Sequence, residues 1–253
     1  MLTNFRLFLS LSLLFLTLSS AAQSADLPPC SERPLVVLLP RVEGDLWCIE
    51  KPIDLGNELV STSITFSDDG MLYAASPQRG ELLAFDDSNA DGLPDQPRVV
   101  ADGLRLPNGL AYADGVLYIV GDGILYAYEN GQMRTIADDL PGGQGFFTSG
   151  IVVHEDALYI GIPAPCDDCV PDDPLRGTVL RMTLDGSGRD VVARGLRYPA
   201  GLAFHQGALW VTDSASDTLA HQGFYDELNV IDLQREDIPH FGWPYCVGLE
   251  NEA

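Results

Sequence analysis

The residues Asp87-Ser88-Asn89-Ala90-Asp91-Gly92-Leu93-Pro94-Asp95 put oxygen-bearing side chains at loop positions 1, 3, 5 and 9, with glycine at position 6. Ca²⁺ takes roughly six to eight hard oxygen ligands, and this spacing wraps side-chain oxygens and one backbone carbonyl around a single ion. The expected ligands are Asp87, Asn89, Asp91, Asp95 and the carbonyl of Leu93. Position 12 is Arg98 and not the bidentate Glu of an EF-hand, and no helical periodicity flanks the loop. The same residues also suit a polar hairpin tip, because Asp, Asn, Gly and Pro are the common turn formers.

The cysteines are Cys30, Cys48, Cys166, Cys169 and Cys246. The Cys166-Asp167-Asp168-Cys169 motif is not a haem attachment site, since Val170 stands where His is required. A zinc ribbon needs a second such pair, and the chain has none. Of the four histidines, His154 and His205 fall in turns of the strand pattern and are expected to be structural or solvent-facing. His221 lies in an insertion, and His240 precedes a Gly-Trp-Pro stretch. There is no Gly-rich phosphate loop and no Gly-x-Ser-x-Gly elbow.

These groups must be positioned by a repeated scaffold. A Leu-Tyr or Leu-Trp pair recurs at residues 72, 117, 158 and 209, which are 45, 41 and 51 residues apart. Each copy sits in alternating apolar runs bounded by Gly, Asp, Asn and Pro. Within one copy, Asp114-Gly115 and Asn130-Gly131 predict tight hairpins, because both residues of each pair accept positive φ. A period of about 40–50 residues built from short strands predicts an all-β fold, a β-propeller with one repeat per blade. The insertions 86–97, 163–176 and 213–227 break the pattern, and in propellers such loops gather at the ends of the channel.

Arg6, the apolar run Leu7–Leu18 and the small residues of Ser19–Ala25 read as a secretory signal over residues 1–25. A run of about 12 residues is too short to span a bilayer, which takes about 20. The propeller domain is then residues 26–253, secreted or periplasmic. Export makes disulfides the default, so we pair Cys30 with Cys48 and Cys166 with Cys169, leaving Cys246 single. The chain has 37 Asp and Glu against 14 Lys and Arg, a net charge of −23. That charge disfavours duplex nucleic acid and anionic membranes as partners.

A longer constellation begins at Gly195-Leu196-Arg197-Tyr198-Pro199-Ala200-Gly201-Leu202-Ala203-Phe204 and continues with Leu209-Trp210-Val211-Thr212-Asp213. Asp226-Glu227-Leu228-Asn229 and Gly242-Trp243-Pro244-Tyr245-Cys246 follow. In these segments and their order, the chain resembles the soluble glucose/sorbosone dehydrogenase family, six-bladed propellers that use pyrroloquinoline quinone (PQQ). The Cys166–Cys169 loop, with Asp172-Asp173-Pro174 and the Arg181 strand after it, is similar to the sorbosone branch. The likeness runs from about residue 60 to about residue 248.

The resemblance implies an exported oxidoreductase that oxidises a sugar hydroxyl or aldehyde with PQQ and Ca²⁺, its substrate a small sugar or polyol. It assigns Arg197, Asp213 and Ser214 to the cofactor, and the carbonyls of the Asp213–Ser216 turn, Ala215 and Ser216 among them, to Ca²⁺. A guanidinium, with its fixed fork of donors, suits an o-quinone and carboxylates. The family's general base is a histidine before the third repeat. Phe147 holds that position, with Phe146 before it, so no catalytic residue is assigned. Six blades of about 45 residues exceed this length. The expectation is therefore four to five blades of a six-bladed parent, incomplete at the C-terminus. The alternative function is a non-catalytic, calcium-stabilised binding propeller. A metal-dependent lactonase type, with Asn108, Asp213 and Glu227 as candidate ligands, is a third.

Overall fold

The structure, a computed structural model, describes residues 62–90, 94–143, 146–216 and 225–246. The signal segment, the Cys30–Cys48 pair, Asp91, Leu93 and His221 lie outside these residues.

Four antiparallel sheets follow one another along the chain as propeller blades. The first holds β1 (Ser63–Phe66), β2 (Leu72–Ser76), β3 (Glu81–Phe85) and β4 (Arg98–Ala101). The second holds β5 (Gly109–Ala113), β6 (Val116–Val120), β7 (Leu125–Glu129) and β8 (Gln132–Ala137). The third holds β9 (Ile151–His154), β10 (Ala157–Ile162), β11 (Thr178–Thr183) and β12 (Arg189–Arg194). The fourth holds β13 (Pro199–His205), β14 (Ala208–Asp213) and β15 (Glu227–Ile231). Each sheet is a meander in chain order, so the propeller read from the repeat is what forms. The hairpin turns behave as their residues require: φ is +50° at Asp114, +83° at Gly115, +50° at Asn130 and +77° at Gly131.

Period-two alternation sends each strand's side chains to opposite faces, and the cores lie between blades. In the third blade, Leu158, Ile160, Leu180 and Met182 pack on the second blade through Val120, Leu125 and Ala127. The alternate residues Ala157, Tyr159, Val179 and Ala193 pack on the fourth blade through Leu209, Val211 and Ile231. The first and second blades share Ala75, Leu82, Leu110, Leu117, Ile119 and Tyr126.

The first strands of the blades pack side by side: β1 on β5, β5 on β9, and β9 on β13. Their backbones come close enough to require glycine. A Cβ on Gly109 would sit 2.1 Å from the Ser149 carbonyl oxygen, and on the second strand of the third blade one on Gly161 would sit 2.1 Å from that of Pro199.

The outward faces of the two outer blades keep apolar side chains in solvent. Ile64 and Phe66 on β1 are 62% and 61% exposed, and Leu228 and Val230 on β15 are 61% and 44% exposed.

Meander connectivity sorts the loops between the two ends of the propeller. Links from a second to a third strand, and from one blade to the next, fall at one end. First-to-second and third-to-fourth links fall at the other. The connections 138–150, 163–177, 195–198 and 214–226 therefore share an end. The Asp-rich loop 86–97 joins β3 to β4 and lies at the opposite end.

Candidate functional site

Arg197 sits in the short link between β12 and β13, and Asp213 closes β14 beside it. The Asp213 carboxylate accepts the backbone N–H of Arg197 at 3.0 Å and that of Tyr198 at 2.5 Å, which fixes the link in place. Asp213 is buried and faces Glu227 across the β14–β15 pair. Burial pushes its pKa up to about 6; the two backbone N–H groups and Arg197 pull it down, while Glu227 adds to the rise.

The Arg197 guanidinium is buried. It forms an ion pair with Asp167 and donates to the Ser214 carbonyl at 3.1 Å. It also lies 4.2 Å above the centre of the Phe146 ring, within cation–π range. Phe146 stacks in turn on Tyr198 with centroids 5.2 Å apart.

Asp167 is the hub of this arrangement. Besides Arg197, its carboxylate accepts the Ser216 hydroxyl at 2.7 Å, and its backbone carbonyl accepts the Trp243 indole N–H at 3.3 Å. It stands between Cys166 and Cys169, which form a disulfide as expected. Cys246 is free and exposed. The Arg197 carbonyl accepts the Ala164 N–H at 2.8 Å, so the connection leading to the disulfide loop is tied to the Arg197 link through backbone as well.

Described residues line three openings at this end. One of about 470 Å³ is lined by Asp139, Gly142, Asp172, Asp173 and Arg176. The second, about 180 Å³, lies against Arg176, Arg194, His240, Trp243 and Tyr245. The third, about 30 Å³, lies between Arg197, Asp213, Glu227 and Trp243 and has room for about one water molecule.

Of the residues assigned by resemblance, Arg197, Asp213, Ser214, Ala215 and Ser216 come together here. The Ser214 carbonyl accepts from Arg197, and the Ser216 hydroxyl donates to Asp167. Phe147, at the expected base position, is half exposed, and Phe146 is the ring at the site. Neither can accept a proton. Asn108 is buried in the β4–β5 link. His154 stacks on Phe204 at 3.7 Å between the third and fourth blades, and His205 is exposed. Asp167 was not singled out by sequence reasoning, and Phe146 was noted there only as the residue before Phe147. The Cys-x-x-Cys spacing was the signal available for Asp167, because it predicts a closed loop that must present what it encloses.

At the opposite end, Asp87, Asn89 and Asp95 lie in one loop. The Ser88 N–H and hydroxyl both donate to Asp95, at 2.9 and 2.5 Å, and the Asp95 N–H donates to the Asp86 carbonyl at 2.7 Å. These bonds hold the Asp95 carboxyl below its usual range. Among the described residues, no three His, Cys, Asp or Glu side chains converge as a metal group.

No family model matches the chain, and no curated protein matches it. Solved structures do. The holo form of the PQQ domain of a pyranose dehydrogenase from Coprinopsis cinerea superposes with a TM-score of 0.62 at 15% identity, covering 76% of this chain and 56% of that one. The PQQ-bound aldose sugar dehydrogenase from Streptomyces coelicolor gives 0.57 at 21% identity, covering 74% and 63%. A chain of a nidogen/laminin complex gives 0.53 at 16% identity, covering 72% and 67%. The chain therefore spans less than two thirds of either dehydrogenase chain. The likeness establishes a β-propeller, a fold that the chain shares with PQQ-linked sugar dehydrogenases and with a protein of another kind.

Proposed function

We propose that this chain is an exported propeller of the sugar-oxidoreductase type that receives a small sugar or polyol at the Arg197 end. The observation that carries the proposal is the opening of about 470 Å³ lined by Asp139, Asp172, Asp173 and Arg176. It is of monosaccharide size, and carboxylates with a guanidinium supply acceptors and donors for several hydroxyl groups. The fold likeness to sugar dehydrogenases and the ordered segments from Gly195 to Cys246 support the same class.

PQQ does not fit the residues as arranged. The cofactor carries three carboxylates, and Arg197, the cation assigned to it, is already engaged by Asp167, Ser214 and Phe146. The Arg197 neighbours Asp213 and Glu227 are acidic. Phenylalanine also occupies the base position. We infer sugar binding without quinone turnover by this arrangement.

The test has two arms. Titration with aldoses and polyols, followed by tryptophan fluorescence, is expected to saturate in the millimolar range. Flat titrations for all of them would remove the sugar reading. Sugar-dependent dye reduction with added PQQ and Ca²⁺ is expected to stay at background, and turnover would restore the oxidoreductase activity.

A second reading is a binding propeller stabilised by Ca²⁺ at Asp87, Asn89, Asp91, Leu93 and Asp95, with no sugar ligand. The likeness to the nidogen/laminin chain favours it, and the location of that loop away from Arg197 is compatible with a purely structural ion.

A further inference from the structure

We propose that the opening of about 180 Å³ beside Arg194 is a second ligand site, which takes a small aromatic carboxylate: one ring carrying one negative charge. It is independent of the sugar reading, which concerns the larger opening. The openings differ in charge. Asp139, Asp172 and Asp173 line the largest, and Asp213 and Glu227 line the smallest. Among the described residues, the charged side chains on this one are Arg176 and Arg194, with no carboxylate. Asp173 belongs to the same connection, but its carboxylate accepts the Leu175 N–H at 2.9 Å and borders the larger opening. Of the three openings lined by described residues, this is the basic one, in a chain of net charge −23.

Backbone bonds build the site. The Arg194 N–H donates to the Pro239 carbonyl and the Phe241 N–H to the Arg194 carbonyl, both at 2.9 Å, and the Trp243 N–H donates to the Gly195 carbonyl at 3.0 Å. This short ladder sets His240 and Trp243 against the end of β12, with Tyr245 just beyond. Glycine is required beneath them: a Cβ on Gly195, at φ +72°, would fall 2.4 Å from the His240 ring. Trp243 is buried and serves as a wall. His240 and Tyr245 are exposed on the rim, Tyr245 to 70%, with ring centres 6.3 Å apart.

The ligand class follows from what these groups offer. The Arg194 guanidinium donates from Nη1 to the Pro174 carbonyl at 3.1 Å, a neutral partner, and among the described residues it forms no ion pair. A guanidinium presents a planar fork of donors that matches a carboxylate. The His240 Nδ1 accepts the Gly242 N–H at 3.1 Å, so the neutral ring carries its proton on Nε2, a second donor on the rim. Tyr245 supplies a ring face for offset or edge contact, and covering it removes apolar surface from water. The volume is below the roughly 300 Å³ at which drug-sized pockets begin, which limits the ligand to about one ring.

The experiment is calorimetric titration of the full chain at about 0.15 M sodium chloride, where exposed charges more than about 8 Å away are largely screened. The probes are benzoate, benzyl alcohol, which keeps the ring without the charge, and acetate, which keeps the charge without the ring. Benzoate is expected to bind in the millimolar range, as suits so small a ligand, and about tenfold tighter than either other probe. Arg194→Gln is expected to bring benzoate to the level of benzyl alcohol and to leave benzyl alcohol unchanged. Tyr245→Ala is expected to weaken benzoate and benzyl alcohol together and to leave acetate as it was. Arg134→Gln, at an exposed position of β8, makes the same change of net charge and should alter none of the three. Benzoate binding no tighter than the other two overturns the proposal on the unaltered protein alone, whatever the variants do. So does a benzoate affinity that survives Arg194→Gln, or one that falls equally in Arg134→Gln, since the attraction would then be no property of this opening.

Discussion

Asp213 and Asp95 are both aspartates that accept two donors, at opposite ends of one propeller. Asp213 binds the backbone N–H groups of residues 16 and 15 positions away, inside a buried site that also holds Arg197. Asp95 binds the N–H and hydroxyl of Ser88, seven residues away in an exposed loop. Burial outweighs the hydrogen bonds at Asp213 and raises its pKa. At Asp95 there is little burial to oppose them, and the pKa falls. The two residues show that desolvation, more than hydrogen bonding, separates a tuned carboxylate from a turn-forming one.

The sharpest way to break this contrast is to remove the central cation. Arg197→Ala should cost about 3–5 kcal/mol in urea unfolding, because it removes the buried cation of an ion pair. A loss below about 1 kcal/mol would mean that water already serves that end as well as the opposite loop.

The pH dependence of stability comes next. Well below pH 3.8 the Asp213 carboxyl is protonated in both folded and unfolded chains and contributes nothing. The unfolded chain ionises first, near 3.8, and the folded one only at about 6. Stability is therefore lost as pH rises across this window, by about 3 kcal/mol when complete. Carboxyls held low, such as Asp185 at about 2 and Asp139, act in the opposite sense and lose stability as pH falls. The difference between wild type and Asp213→Asn, measured from pH 4 to 7, isolates the Asp213 contribution. Parallel curves would show that Asp213 ionises normally.

A calcium titration tests the other end. Saturating Ca²⁺ is expected to raise the melting temperature by a few degrees, by mass action on the folded state. Asp95→Ala should abolish that rise, and Arg197→Ala should leave it intact. A rise that survives Asp95→Ala would move the ion away from this loop. Smallest of all is Asp95→Ala without metal, expected to leave the melting temperature essentially unchanged.

Sequence reasoning could place each strand because the Leu-Tyr repeat carries the blade pattern in local, period-two form. Arg197 and the Asp213–Ser216 turn were assigned to one site by the family resemblance and not by any residue pattern. Reasoning from sequence could not find the Asp167 hub, whose bonds to Ser216 and Trp243 bridge 49 and 76 residues and leave no periodic trace. The base position illustrates a finer limit. Two adjacent phenylalanines are equivalent in sequence, and only the chain direction entering β9 turns Phe146 to the guanidinium and Phe147 to solvent. The Asp-rich loop and the 213–227 insertion were both expected near a channel end. Which end each occupies follows from the parity of strand connections, a property of the assembled meander.

The apolar side chains on the outward faces of β1 and β15 bear on how the protein behaves in salt. With a net charge of −23, neighbouring molecules repel one another, and in dilute buffer that repulsion keeps Ile64, Phe66, Leu228 and Val230 from meeting their counterparts. The reach of the repulsion shrinks from about 30 Å at 0.01 M salt to about 3 Å at 1 M, while the attraction between apolar surfaces persists. Light scattering should therefore register larger particles as sodium chloride is added, the reverse of what a protein held together by surface ion pairs would do.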